Sequence, residues 1–250
     1  MTRIVAIADL HGHLGFSLPD GDVLCIVGDI VPLYSSAEDQ KPEQEMRWFD
    51  TKFRMWLRRE SNNFDHIVIT PGNHDCLFEH PTSFRIAHDA SLDMGMTPTW
   101  TPRDGRGSIT TPVPMIEVAD VKFAAYNLSP TINQRPWPFS VARGCDRQVR
   151  EEAVVTNAYT GSYPDVLLAH SPPAGLLDEN SKGDHCGCAS VSRIMHELMP
   201  KFSVHGHIHE ERGNRDRVYA ANGREIRLIN CSLMDRTYSP KGGKPQVFDV

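Results

Sequence analysis

Five short apolar runs recur along the chain, Ile4 to Ala8, Val23 to Val27, Ile67 to Thr70, Val166 to Ala169 and Phe202 to His205. Runs of this length, apolar at successive positions, predict strands buried on both faces. Each leads at once into a polar, potentially ligating residue. Between the second and third runs, Pro42 to Glu60 reads as a helix, with Pro at its start and Met46, Phe49, Phe53, Trp56 and Leu57 on one face. A second helix is expected from Ser190 to Met199, stopped by Pro200. Met115 to Val118 and Val121 to Ala125 read as a hairpin across Ala119-Asp120, and Arg217 to Ala220 with Glu225 to Asn230 as another across Asn222-Gly223.

Strands alternating with helices predict an α/β layered fold, in which ligands gather beyond the carboxyl ends of the strands. Neither an internal repeat nor a low-complexity linker interrupts the 250 residues, so the expected organisation is one domain over 1–250.

Composition narrows the function classes. With 40% hydrophobic residues the chain can bury a substantial core, and its net charge of -6 leaves no basic footprint for long nucleic acid. No apolar stretch approaches membrane-spanning length. The N-terminus opens on a strand-like run rather than a secretory leader, which makes a cytoplasmic protein the expectation. Cys25, Cys76, Cys145, Cys186, Cys188 and Cys231 are scattered, consistent with reduced thiols. Cys186-Gly187-Cys188 after His185 has no second ligand pair at zinc-finger spacing, so a structural role is preferred there.

The candidate chemistry lies at the strand ends. Asp9-Leu10-His11 follows the first strand, where two ligands one residue apart can share a side of an extended backbone. Gly28-Asp29 follows the second, Gly72-Asn73-His74-Asp75 the third, His170 the fourth and Gly206-His207-Ile208-His209 the fifth. Any one of these is more often an ordinary turn former. Together they set carboxylates, an amide and imidazoles at one end of the fold.

In residue type and order these elements resemble the calcineurin-like metallophosphoesterase family, over residues 9 to 209. The resemblance implies a four-layer α/β fold, a central β-sandwich flanked by helices. It implies one metal on Asp9, His11, Asp29 and His209, and a second on Asn73, His170, His207 and the bridging Asp29. Such N and O donors suit Mn, Fe, Co, Ni or Zn, with Mn favoured. Two such ions activate a bridging hydroxide for in-line attack on phosphorus. By the same resemblance His74 is the acid beside the leaving oxygen, and Asp75 either orients that imidazole or serves as a turn acid.

Gly28-Asp29-Ile30-Val31-Pro32 lacks the second acid and the Arg of the family's protein phosphatases. The segments His170-Ser171-Pro172-Pro173, Gly187-Cys188 and Asn230-Cys231-Ser232 are similar to a metallophosphoesterase-domain-containing branch that includes cyclic-nucleotide phosphodiesterase-like proteins. That similarity makes a small phosphodiester or nucleotide the expected substrate. A phosphomonoesterase or nuclease, and a non-catalytic nucleotide-binding module, stand as the alternatives. His13, Arg135 and Trp137 are candidate substrate contacts, the last two able to pair a phosphate and stack a base. Arg212, Arg215, Arg217, Arg224 and Arg227 read as a solvated face, and His205 as a non-ligand.

Overall fold

The computed structural model describes residues 1–34, 41–60, 62–75, 115–126, 129–130, 140–141 and 163–250. Strands β1 (Arg3–Ile7), β2 (Val23–Val27) and β3 (His66–Thr70) lie parallel, and the last strand, β12 (Gln246–Asp249), pairs antiparallel with β1, giving the order β12-β1-β2-β3. Between β2 and β3 the chain is helical over Pro42 to Glu60, as α1 (Pro42–Trp48), a π-helical segment (Phe49–Phe53) and α2 (Arg54–Glu60).

A second sheet takes β4 (Met115–Val118), β5 (Val121–Tyr126), β8 (Val166–Ala169), β9 (Phe202–His205), β10 (Arg215–Tyr219) and β11 (Glu225–Asn230) in the order β10-β11-β9-β8-β5-β4. Its four inner strands run parallel, and antiparallel β10 and β4 close the edges. Short β6 (Ser129–Pro130) and β7 (Ser140–Val141) pair separately, and α3 (Ala189–Leu198) precedes β9. Among the described residues no helix is long and apolar enough to cross a membrane.

Strand alternation divides the core. Ile4 and Ala6 of β1, with Val23, Cys25 and Val27 of β2, face Phe123, Val166, Leu168 and Val204 of the other sheet. The intervening Val5, Ile7, Leu24 and Ile26 pack on Phe49, Phe53, Trp56 and Leu57 of the helical segment. Leu167, Ala169, Ile226 and Leu228 pack on Val191, Ile194, Met195 and Leu198 of α3. The order is helix, sheet, sheet, helix, which is the four-layer arrangement expected. It explains why the strands read as unbroken apolar runs, since both faces of each are covered.

Three details differ from expectation. The helix from Pro42 to Glu60 is not uniformly α: Glu45, Phe49 and Phe53, all buried, are spaced by four. Residues four apart share a face in either helix type, so the π-helical span over Phe49–Phe53 leaves both rings on the sheet and had no signature in the spacing. Strand β12 has only Val247 and Phe248 as apolar residues, too weak a pattern to read alone. Helix α3 begins one residue early, at Ala189, and ends one residue early because Met199 takes a left-handed conformation at φ 45° before Pro200.

Candidate metal centre

The two sheets converge where β1 ends. The Ala8 amide donates to the Cys231 carbonyl at 2.9 Å and the Leu233 amide to the Ala8 carbonyl at 3.0 Å, stitching β1 to the segment after β11. Immediately beyond, Asp9 and His11 adopt φ of 55° and 42°. Their backbone is therefore coiled, contrary to the extended presentation expected from the sequence. It is held by the Asp9 amide on the Gly28 carbonyl at 3.0 Å and the His11 amide on the Asp29 carbonyl at 2.9 Å. Asp29 and His207 are also left-handed, at 52° and 67°. Such conformations cost on the order of 1–3 kcal/mol each without glycine and concentrate at functional sites.

Close backbone approach explains two of the motif glycines. A Cβ on Gly72 would lie 2.2 Å from Asp29 Oδ1, and one on Gly206 2.4 Å from Asp9 Oδ2. Only bare backbone fits against either carboxylate. The His74 amide donates to Asp29 Oδ1 at 2.9 Å, and the His207 amide reaches both oxygens of Asp9.

Backbone carbonyls orient the histidines. His170 Nδ1 contacts the Val27 carbonyl at 2.9 Å and His209 Nδ1 the Asp235 carbonyl at 3.2 Å. A carbonyl can only accept, so each Nδ1 carries the proton and each Nε2 is turned inward. His170 Nε2 lies 3.3 Å from Asp29 Oδ2 and 3.2 Å from His207 Nδ1, while His209 Nε2 lies 3.3 Å from Asp9 Oδ1.

Two ligand groups result. Asp9, His11 and His209 bring one donor atom each within 4.8 Å of one another, as do Asp29, His170 and His207. Asp29 Oδ2 touches both, standing 3.8 Å from His11 Nε2 as well as 3.3 Å from His170. Buried Asn73 sits between Gly72 and His74, both of which pack on Asp29. His11 Nε2, His207 Nε2 and Asn73 Oδ1 are buried without a hydrogen-bond partner. Buried N and O atoms left unsatisfied among these residues fit a pair of borderline divalent cations.

The charges agree with that fit. Burial acts to raise Asp9, yet His209 and His170 hold it down at about 2. Burial acts to raise Asp29 as well, yet His170 and His74 drive it well below the carboxylate range. Burial takes His11 down to about 4 and, with the charge of His170, His207 to about 3. His170 goes the other way: burial opposes its charge, but Asp29 outweighs it and raises the ring to about 10. Two ionised carboxylates thus stand beside His11 and His207, both of which are uncharged at neutral pH and keep one ring nitrogen open as a ligand.

The sequence profile of the calcineurin-like phosphoesterase family matches residues 2–211. The chain belongs to that family. Among its relatives are UPF0046 protein K07C11.7 of Caenorhabditis elegans, 26% identical over 84% of this chain and 64% of its own length, and UPF0046 protein C25E10.12, 27% identical over 99% and 80%. The chain therefore spans just under two thirds of the length of the first of these. Human metallophosphoesterase domain-containing protein 1 is 23% identical over 100% of this chain and 71% of its own. The fold is similar to that of TT1561 of Thermus thermophilus, with a TM-score of 0.52 at 11% identity over 99% and 98% of the two chains.

In this calcineurin-like phosphoesterase the remaining candidates fall in different places. His74 stands at the mouth, its side chain 14% exposed, with Nε2 3.9 Å from Asp29 Oδ2 and its ring edge-on to His11. Asp75 faces the main chain. The Asp75 carboxylate accepts the amides of Ile30, Val31 and Gly72 at 2.8, 3.1 and 2.7 Å, tying the loop after β2 to the loop after β3. Burial and the charge of Asp29 push its carboxyl up to about 7 despite those bonds. His13 is exposed, two residues past His11. Arg135 and Trp137 lie outside the described residues.

Three of the arginines are structural. Arg212 donates to the carbonyls of Leu233, Ser239 and Lys241, Arg215 bonds Gln246, and Arg227 bonds Glu225 and lies over Phe202. His205 is buried and belongs to neither ligand group. Cys188 caps α3 and Cys186 contacts the Asp184 carbonyl, so the pair is no ligand cluster among the described residues.

Two features had no sequence signal. Tyr238, at φ 59°, packs edge-on against His11 and His209, with centroids at 5.2 and 4.7 Å. Exposed His185 has its Nδ1 held at 2.7 Å by buried Asp178, which also takes the amides of Gly175 and Gly187.

Proposed function

We propose that this chain is a dinuclear metal-dependent phosphodiesterase acting on a small phosphodiester, a nucleotide or cyclic nucleotide, with manganese as the favoured metal. The observation that carries the proposal is Asp29, whose Oδ2 touches both ligand groups. One cation would rest on Asp9, His11, His209 and Asp29, the other on Asp29, Asn73, His170 and His207. When bound, such a pair supplies Lewis-acid polarisation of the phosphoryl group and a nucleophilic water at neutral pH.

The chain's own residues supply the rest. By accepting from Nδ1, the Val27 and Asp235 carbonyls leave Nε2 of His170 and His209 as the atom that a cation would take. Asp75 fixes the two loops that carry Asp29 and Asn73. His74, beside Asp29, would give a proton to the departing oxygen and so avoid expelling an alkoxide. The charge of -6 argues for small substrates rather than long nucleic acid. Absence of an acid and Arg after Asp29 argues against phosphoprotein substrates.

The test is a substrate panel on metal-loaded protein, comprising bis-p-nitrophenyl phosphate, p-nitrophenyl phosphate, 2',3'- and 3',5'-cyclic nucleotides and single-stranded DNA. Turnover of the diesters above the monoester is expected. Turnover of the monoester alone would replace the proposal with a phosphomonoesterase.

A further inference from the structure

Tyr238 is an aromatic residue in a conformation that L side chains with bulk rarely adopt, at φ 59°. The turn that forces it there is closely tied. The Asp235 carboxylate accepts the Thr237 amide at 2.8 Å, the Thr237 hydroxyl at 2.6 Å and the Ser239 amide at 3.0 Å, and the Tyr238 amide donates to the Asp235 carbonyl at 2.8 Å. That same carbonyl accepts a hydrogen bond from His209 Nδ1 at 3.2 Å. One residue therefore fixes both a ligand histidine and the neighbouring ring.

The ring itself leans edge-on against His11 and His209, at interplanar angles of 62° and 75°, and yet the residue remains 46% exposed. It is thus anchored to the first ligand group on one side and open to solvent on the other. What sets Tyr238 apart from the other exposed tyrosines is its place: its ring is held against two residues of the ligand group of Asp9, His11 and His209 while nearly half of the residue faces solvent. We propose that Tyr238 is a substrate-contacting, specificity-determining residue, whose exposed ring forms a stacking platform for the planar organic group of the ester. The inference rests on the phosphoesterase reading and deepens it. It favours esters carrying a nucleobase or aryl group over simple alkyl esters, because a flat π-surface rewards stacking without demanding a particular base.

The test compares binding of adenosine 5'-monophosphate and methyl phosphate to manganese-loaded protein by calorimetry, in wild type, Tyr238→Phe and Tyr238→Leu, with metal content measured for each. Wild type and Tyr238→Phe should prefer the nucleotide by about tenfold. Tyr238→Leu should lose that preference while keeping its affinity for methyl phosphate and its metal content. No preference in wild type would overturn the proposal. So would a preference that survives in Tyr238→Leu, or a parallel loss of metal and of both ligands, which would make the ring only a prop for His11 and His209. Binding is read without turnover, so failure of the ester panel and failure of the stacking platform are separate results.

Discussion

The backbone amide of His207 donates to both carboxylate oxygens of Asp9, at 3.2 and 3.0 Å, across 198 residues of chain. This contact joins the end of β1 in one sheet to the end of β9 in the other. It needs Gly206, whose Cβ position is already occupied by Asp9 Oδ2 and by the Ala8 side chain. Gly206→Ala should displace Asp9, empty the ligand group of Asp9, His11 and His209, and lower activity by about a hundredfold. Metal analysis and ester turnover on the purified variant check this; full metal content would refute it.

Asp75 is expected to matter for stability rather than for proton transfer. Asp75→Asn places an amide donor where the Ile30, Val31 and Gly72 amides now donate, leaving buried donors facing each other. The cost should be about 1–3 kcal/mol, visible as a lower thermal midpoint. A variant with unchanged stability and a lost leaving-group dependence would restore the role of orienting His74.

His74→Ala should leave metal content intact and slow alkyl diesters about 10²- to 10⁴-fold. The p-nitrophenyl esters should suffer much less, since that leaving group departs without a proton. Equal slowing of both classes would argue for a role in binding rather than as an acid.

Much of this was legible in the sequence. Strands buried on both faces leave unbroken apolar runs, so β1, β2, β3, β8 and β9 could be read, and the ligands stood out because each such run ends on one. The assignment of strands to two sheets was not readable from those runs, because the side chains of a strand facing the sandwich and of one facing a helix are equally apolar. Groups that act through the backbone leave no residue signature either. The Val27 and Asp235 carbonyls that set the histidine tautomers are of this kind, as are the left-handed φ angles of Asp9, His11 and Tyr238. Asp75 was ambiguous for a related reason, since an acid beside a histidine looks alike whether it faces the ring or the main chain.

Metal loading should release a proton. In the metal-free protein burial opposes the charge of His170, but Asp29 raises its ring to about 10, so at pH 7 both ring nitrogens hold protons. A cation binding at Nε2 must displace one. Calorimetric enthalpies of loading at pH 7 should therefore vary with the ionisation enthalpy of the buffer, and affinity should weaken as pH falls, because protons then compete better. Enthalpies that are the same in every buffer would contradict this.

The central claim is that two cations share Asp29, and the most direct measurement is metal stoichiometry on wild type and Asp29→Asn after identical loading with manganese. The account predicts two ions per wild-type chain and loss of both in the variant, because Oδ2 of this residue stands against His11 and His170 alike. A wild-type chain that holds one ion, or a variant that keeps one at undiminished affinity, would contradict it.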